Sequence, residues 1–312
     1  MESNRELGQR PIWVTGASGF IGGHLCRRLV DAGHRVLAGY HSNPNGLPTG
    51  AIPLATDLTD PAAVDEVIAR EQPEVIFHLA SCVLGSRDLD WVRPTLEANL
   101  NSTVYLMSAA ARHQCRRFIL TGSLEEPEQV QDAPSSPYAA AKSAASAYAR
   151  MFHALYQFPA VIARVFMVYG PDQKDQKKLV PYVINQLLDG QSPQMSSGVR
   201  EVDWIYVEDL VDGLLALADA PDLEGKTVDL GTGLLTSVRT VVEQIAAQIP
   251  DAPTLHFDPA SDRPLEQVRK ADITQTTSLT GWRPAHSLAA GLRKTIAWHA
   301  AQRGIASPAG PA

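Results

Sequence analysis

Tyr138 and Lys142 stand four residues apart in Ser-Pro-Tyr-Ala-Ala-Ala-Lys, a spacing that puts a phenol and an ammonium on one face of a helix. A free phenol ionises near about 10, too high for easy proton exchange at neutral pH; an adjacent ammonium stabilises the phenolate and lowers that value. The same ammonium is suited to holding ribose hydroxyls. Ser123 ends Thr121-Gly122-Ser123, after an apolar run, where a parallel sheet gathers the carboxyl ends of its strands. Its hydroxyl is placed to hydrogen-bond a substrate carbonyl oxygen. Asn99, early in a long helical stretch, is placed to tie Lys142 through a water. Together these four residues suit proton transfer at a carbonyl or alcohol.

Such chemistry needs a hydride carrier, and the chain opens with a turn suited to one. Thr15-Gly16-Ala17-Ser18-Gly19-Phe20-Ile21-Gly22 follows a short apolar run and leads into a helical pattern. Glycines 16, 19 and 22 permit a tight turn, close approach to a pyrophosphate and close helix-strand packing. Ser18, Phe20 and Ile21 lie at the helix N-terminus, whose free N–H groups and partial positive charge attract phosphate. Asp57 and Leu58 follow the third strand, at the expected adenine position, and Leu79 and Ala80 stand at the end of the fourth. An acid at the end of the second strand would hold the ribose hydroxyls of NAD and repel a 2′-phosphate. The residues there are Tyr40, His41, Ser42 and Asn43, with no acid and no arginine. This favours NADP(H), with NAD(H) still possible. His78, ending an apolar strand, reads as packed and hydrogen-bonded rather than catalytic.

The elements that must position these groups alternate. Strands are predicted at Ile12–Thr15, Arg35–Ala38, Ile52–Leu54, Glu74–Leu79, Arg117–Thr121 and Val161–Val168. Helices are predicted at Phe20–Ala32, Pro61–Arg70, Leu96–His113 and from Ser136-Pro137 to Tyr156, with Asp60 capping the second. That alternation predicts an α/β fold: a doubly wound parallel sheet of Rossmann type with a smaller α/β C-terminal substrate domain. The dinucleotide-binding domain is expected over 1–169, with 203–232 returning to it, and the substrate domain over 170–312. The Pro-, Gly- and Ala-rich tail 305–312 is expected to be disordered.

Bulk composition narrows the class. The chain has 312 residues, 45% hydrophobic and 20% charged, in the range of an ordinary globular protein. A net charge of −7 argues against a nucleic-acid partner, which calls for a basic face. Cys26, Cys82 and Cys115 are unclustered, so neither a metal site nor a disulfide framework is expected. Free thiols, a polar start and the lack of an apolar run near ~20 residues predict a cytoplasmic protein with no membrane association.

These residues together resemble the extended short-chain dehydrogenases/reductases, which include sugar-nucleotide epimerases, dehydratases and reductases. The likeness covers nearly the whole chain: TGASGFIG, DLTD, FHLAS, Asn99 with Thr103, FILTGS, SPYAAAK, Val168–Pro171, VDWIYVEDL and Gly281-Trp282-Arg283-Pro284. The resemblance implies Ser123, Tyr138 and Lys142 as a catalytic trio, a nucleotide-diphosphate sugar as substrate, and a homodimer packed through the helices that carry Tyr138 and follow Asn99. Two positions depart from it. Met167 stands where many members carry Asn, and Val202 where many carry an arginine for the diphosphate. Arg200 and Arg263 remain to meet a diphosphate, and Met167 borders the implied substrate site. The pattern around Val202 is similar to CDP-abequose and CDP-paratose synthase-like 4-keto-sugar reductases.

Three chemistries share this scaffold: reduction of a keto sugar, 4-epimerisation and 4,6-dehydration. Glu125 has the spacing from Ser123 at which dehydratases carry a glutamate, but Leu124 replaces the acid beside it. Glu125 and Glu126 read as solvated loop acids, with Glu125 the candidate for substrate contact. The missing acid after the second strand points to an NADP(H)-dependent reductase, then to an epimerase, then to a dehydratase. A dinucleotide-sensing protein without turnover is the non-enzymatic alternative, disfavoured because Tyr138 and Lys142 are both present.

Overall fold

The computed structural model describes residues 10–83, 85–129, 131–259 and 267–305. The chain divides into two compact units, residues 1–165 with 214–228 and 278–281, and residues 166–213 with 229–277 and 282–312. The crossing falls after Val165, and the returning segment is 214–228, shorter than the expected 203–232. The reason is that Glu201–Tyr206 pairs within a sheet of the second unit. The tail 306–312 lies outside the described residues.

The first unit is built on β1 (Ile12–Thr15), β2 (Val36–Tyr40), β3 (Ile52–Ala55), β4 (Val75–His78), β5 (Arg117–Ser123) and β6 (Ala160–Val165). They pair in the order β6-β5-β4-β1-β2-β3, all parallel, with Thr227–Leu230 beside β6. Strand order reverses between β1 and β4, and sheets of this kind bind ligands at that reversal, beyond the carboxyl ends. Every residue of β1, β4 and β5 is buried, which is why these strands read as unbroken apolar runs. Trp13, Leu37, Ile76, Met107, Phe118 and Ile162 sit in one apolar cluster. Burial of each such side chain contributes about 1.5–3 kcal/mol.

The helix Pro137–Tyr156 begins where its sequence says it must. Ser136 accepts the Ala139 N–H and Pro137 takes the first position. Ala139, Ala141, Ala145 and Ala149 are buried, giving the helix a small-residue face. Phe152 packs on Phe158 at 5.9 Å, and Phe158 on Phe118 of β5 at 5.4 Å.

Two elements differ from expectation. The strand predicted over Val161–Val168 stops at Val165, and Met167–Tyr169 pairs with Glu201–Tyr206 of the second unit, flanked by Leu235–Ser237. The helix predicted over Leu96–His113 runs as Val92–Leu96 and Ser102–Arg112 around a π-helical stretch, Glu97–Asn101. Single π turns recur at functional sites because their extra residue re-aims a side chain. Here that stretch contains the buried Asn99.

Among the described residues no helix is long and apolar enough to cross a membrane.

Candidate active site

A cleft of about 580 Å³ opens over the carboxyl ends of β1 to β4. Gly16, Ser18, Gly19, Tyr40, His41, Asp57, Leu58, Leu79 and Ala80 border it, together with Ser81, Cys82 and Glu97. Of the other residues predicted to hold the cofactor, Phe20, Ile21 and Gly22 form the start of the helix Phe20–Asp31, and Ser42 and Asn43 follow β2 as exposed residues. Gly16 has φ +69°, and a Cβ there would lie 2.8 Å from the Ala80 nitrogen, so the turn closes against β4 only without a side chain. Asp57 accepts the Thr59 hydroxyl at 2.6 Å and the Thr59 N–H at 2.9 Å. These bonds hold its carboxyl below the usual range, and the His41 imidazole, 3.8 Å away, adds to the effect.

A buried relay ties the cleft floor to the π turn. Thr15 Oγ1 accepts the N–H groups of Leu79 and Ala80 at 3.2 and 3.1 Å. Its own proton therefore goes to His78 Nδ1, 2.8 Å away. His78 Nε2–H donates to Thr103 Oγ1 at 2.9 Å, which donates to the Asn99 carbonyl at 2.8 Å. The ring is neutral and fully partnered, a structural role. The Asn99 side chain accepts from Cys82 N at 2.7 Å and Ser81 Oγ at 3.0 Å, and donates to the Cys82 carbonyl at 3.1 Å. Asn99 thus clamps the loop after β4.

Burial, helped by the Lys142 charge, pushes His78 down to about 3. An unfolded histidine ionises near about 6.5. The stability gained from the neutral ring is thus complete above about pH 6.5 and is lost as pH falls toward 3, at about 1.4 kcal/mol per pH unit. His78→Gln is expected to lower stability at pH 7.5 by about 2 kcal/mol, since it disturbs a buried bonded chain. Between pH 6.5 and 4.5 it is expected to lose about 2–3 kcal/mol less than the wild type. Urea unfolding of both proteins across that range tests this; parallel pH dependences would refute it.

Ser123, Tyr138 and Lys142 come together at the end of β5. The Tyr138 hydroxyl is hydrogen-bonded to Ser123, whose Oγ also accepts the Glu125 N–H at 3.1 Å. Lys142 Nζ donates to the Thr121 carbonyl at 2.8 Å and lies 5.9 Å from the centre of the Tyr138 ring. Thr121 Oγ1 donates to the His78 carbonyl at 2.9 Å, joining the trio to the strand beside the cleft. Burial pulls Lys142 down to about 8, against a raising influence from Glu126.

The phenol departs from expectation. Burial first, then the charges of Glu125 and Glu126, push Tyr138 up to about 12, and the Ser123 bond opposes them only partly. Desolvation and two carboxylates outweigh any lowering by Lys142, whose ammonium is committed to Thr121.

Glu126 is not a solvated loop acid. It is 5% exposed, and its Oε1 accepts the Ser123 N–H at 2.7 Å. Glu125 is half-buried and accepts the Ser135 hydroxyl at 3.2 Å. The Ser-x-x-Glu spacing of Ser123 and Glu126 is a capping-box signature and was readable in advance. Met167 and Arg200 belong to the second unit, where Arg200 donates to the Gln267 carbonyl at 3.2 Å. Val202 is buried at 3% exposure. Arg263 lies outside the described residues. Among the described residues no group of three or more His, Cys, Asp or Glu could hold a metal ion.

Comparison with known proteins agrees with this geometry. The family model described as "NAD dependent epimerase/dehydratase family" matches residues 12–231. The chain is 32% identical to a UDP-glucose 4-epimerase of Mycolicibacterium smegmatis, over 91% of this chain and 96% of that protein. It is 28% identical to a dTDP-glucose 4,6-dehydratase of an Actinoplanes species, over 94% and 98%. The crystal structure of Thermus thermophilus UDP-glucose 4-epimerase in complex with NAD superimposes with a TM-score of 0.79 at 25% identity, covering 92% of this chain and 98% of that one. A glycine turn on β1, a tyrosine-lysine helix against β5 and a match across both units have one common explanation: this chain belongs to the NAD dependent epimerase/dehydratase family, among the extended short-chain dehydrogenases/reductases.

Proposed function

We propose that the protein is an NADP(H)-dependent reductase of a keto sugar nucleotide, with Tyr138 as general acid. The observation that supports this reading is the end of β2, where Tyr40 and His41 border the cleft and no acid stands to repel a 2′-phosphate. As general acid, Tyr138 gives its proton to the carbonyl oxygen as hydride arrives. The bound dinucleotide supplies the hydride. Ser123 orients the carbonyl oxygen, Lys142 holds the nicotinamide ribose, and Gly16, Ser18 and Gly19 receive the pyrophosphate. His41, with no acid at the end of β2, supports a 2′-phosphate on the cofactor. Arg200, Arg263, Glu125 and Met167 remain the candidates for substrate contact. The enzyme acts as a cytosolic homodimer on this reading.

NADPH is expected to bind at least about fivefold more tightly than NADH, a difference of about 1 kcal/mol. Fluorescence titration of the purified protein measures it, and equal or reversed affinities would remove the NADP(H) assignment. Oxidation of NADPH on adding a dTDP- or UDP-4-keto-6-deoxyhexose tests the reaction.

A 4-epimerase is the second reading, favoured by the 32% identity to the Mycolicibacterium enzyme. It requires tightly held NAD⁺, released on unfolding, and interconversion of UDP-glucose and UDP-galactose. A 4,6-dehydratase comes third, because Leu124 stands where its acid is needed.

A further inference from the structure

Glu126 is a buried carboxylate for which proton transfer by Tyr138 has no direct use. Two bonds join it to Ser123, the residue that meets the phenol, and a third ties Ser123 to the neighbouring Glu125. Glu126 Oε1 accepts the Ser123 N–H at 2.7 Å, the Ser123 carbonyl accepts the Glu126 N–H at 3.1 Å, and Ser123 Oγ accepts the Glu125 N–H at 3.1 Å. The pattern is that of a capping box, yet residues 124–126 form a turn and no helix follows. The reciprocal bonds therefore fix Ser123 itself. Gly122 admits the carboxylate: a Cβ there would lie 2.5 Å from Glu126 Oε1 and 3.2 Å from Ile162 Cγ2. An N–H donated to a carboxylate is stronger than one donated to a neutral acceptor.

We propose that Glu126 is a positioning residue that locks the Ser123 turn so that the Ser123 hydroxyl reaches the Tyr138 phenol. This rests on the reading of Tyr138 as the general acid. The charged and titratable groups near the carboxylate include Glu125 in the same turn and Tyr138 and Lys142 on the helix Pro137–Tyr156, and Arg164 stands in register with Gly122 on β6. The carboxylate also raises the ionisation of both Tyr138 and Lys142, so one side chain holds the turn and favours the phenol-ammonium form of the pair.

The test compares Glu126→Gln and Glu126→Leu with the wild type in two ways. The first needs no substrate. The ¹³Cε signal of Lys142, assigned by its absence from Lys142→Met, is followed from pH 6 to 10 by NMR. In Glu126→Gln the Lys142 midpoint is expected to fall by about half a pH unit or more. The second is NADPH-dependent reduction of a dTDP-4-keto-6-deoxyhexose. Glu126→Leu is expected to lose kcat by about tenfold or more with KM and the NADPH Kd within about twofold, and Glu126→Gln, which keeps an acceptor oxygen, to recover most of that loss. An unmoved Lys142 midpoint, or a kcat for Glu126→Leu within threefold of wild type, overturns the proposal. Should Glu126→Leu fail to fold, the kcat of Glu126→Ala takes its place in the same comparison. A wild type that reduces no keto sugar nucleotide overturns the reductase reading, and a shifted Lys142 midpoint would still support the role of Glu126.

Discussion

Tyr138→Phe is expected to lower kcat for carbonyl reduction by about a thousandfold while leaving the Kd for NADPH within about twofold. The substitution removes one oxygen and keeps the ring. Lys142 keeps its bond to the Thr121 carbonyl, and the cleft bordered by Gly16, Asp57 and Ala80 is untouched. Lost are the proton donor and the Ser123 contact. Water is a poor substitute, because it is neither held nor aimed. Loss of one hydrogen bond at a half-buried hydroxyl costs about 1 kcal/mol, too little to confuse with unfolding. Steady-state kinetics and cofactor fluorescence on the same preparation separate the two quantities. A variant that keeps a tenth of wild-type kcat would show that the proton comes from elsewhere. A Kd that rises in step with the fall in kcat would make the phenol a binding group.

Several of these positions could be read before any coordinates, and the reasons are physical. β1, β4 and β5 are buried on both faces, so burial leaves a continuous apolar run that needs no partner to be recognised. The catalytic helix announces itself through Ser136 and Pro137, because capping is local. Non-local features stayed hidden. Val161–Val168 reads as one strand, since β propensity carries through Phe166; only pairing of Met167–Tyr169 with Glu201–Tyr206 divides it. The π stretch at Glu97–Asn101 has no periodic signature over so few residues. Tyr138 and Lys142 were legible as a pair, but the sign of the electrostatic effect on the phenol was not. It depends first on how far the fold buries the phenol and then on Glu125 and Glu126 lying beside Ser123, which only geometry establishes. Asn99 reads in the sequence as tying Lys142 through a water; its side chain instead clamps Ser81 and Cys82, which depends on where the loop after β4 runs.

In the second unit, Asp203→Asn is expected to cost about 3–5 kcal/mol of stability. Asp203 is fully buried. Its Oδ1 accepts the Thr232 N–H at 2.7 Å and the Thr232 hydroxyl at 2.6 Å. Its Oδ2 accepts the Gly233 N–H at 2.8 Å and the Ala271 N–H at 3.0 Å. An ionised carboxylate is the only side chain of this size that offers two acceptor oxygens and no donor. Asparagine replaces one oxygen with NH₂, so in either orientation a donor faces donors. If the amide nitrogen faces Gly233 and Ala271, two buried N–H groups lose their acceptor, at about 1–3 kcal/mol each. The damage is specific because Asp203 lies between Val202 and Trp204 on the strand that pairs with both Met167–Tyr169 and Leu235–Ser237. That strand cannot move to relieve the clash without breaking its ladders on both sides. Urea unfolding gives the total, and amide hydrogen exchange at Thr232, Gly233 and Ala271 tests whether the loss begins there. A decrease below 1 kcal/mol, or unchanged protection at those three amides, would mean that the loops at 232–233 and 271 are held by something other than this carboxylate.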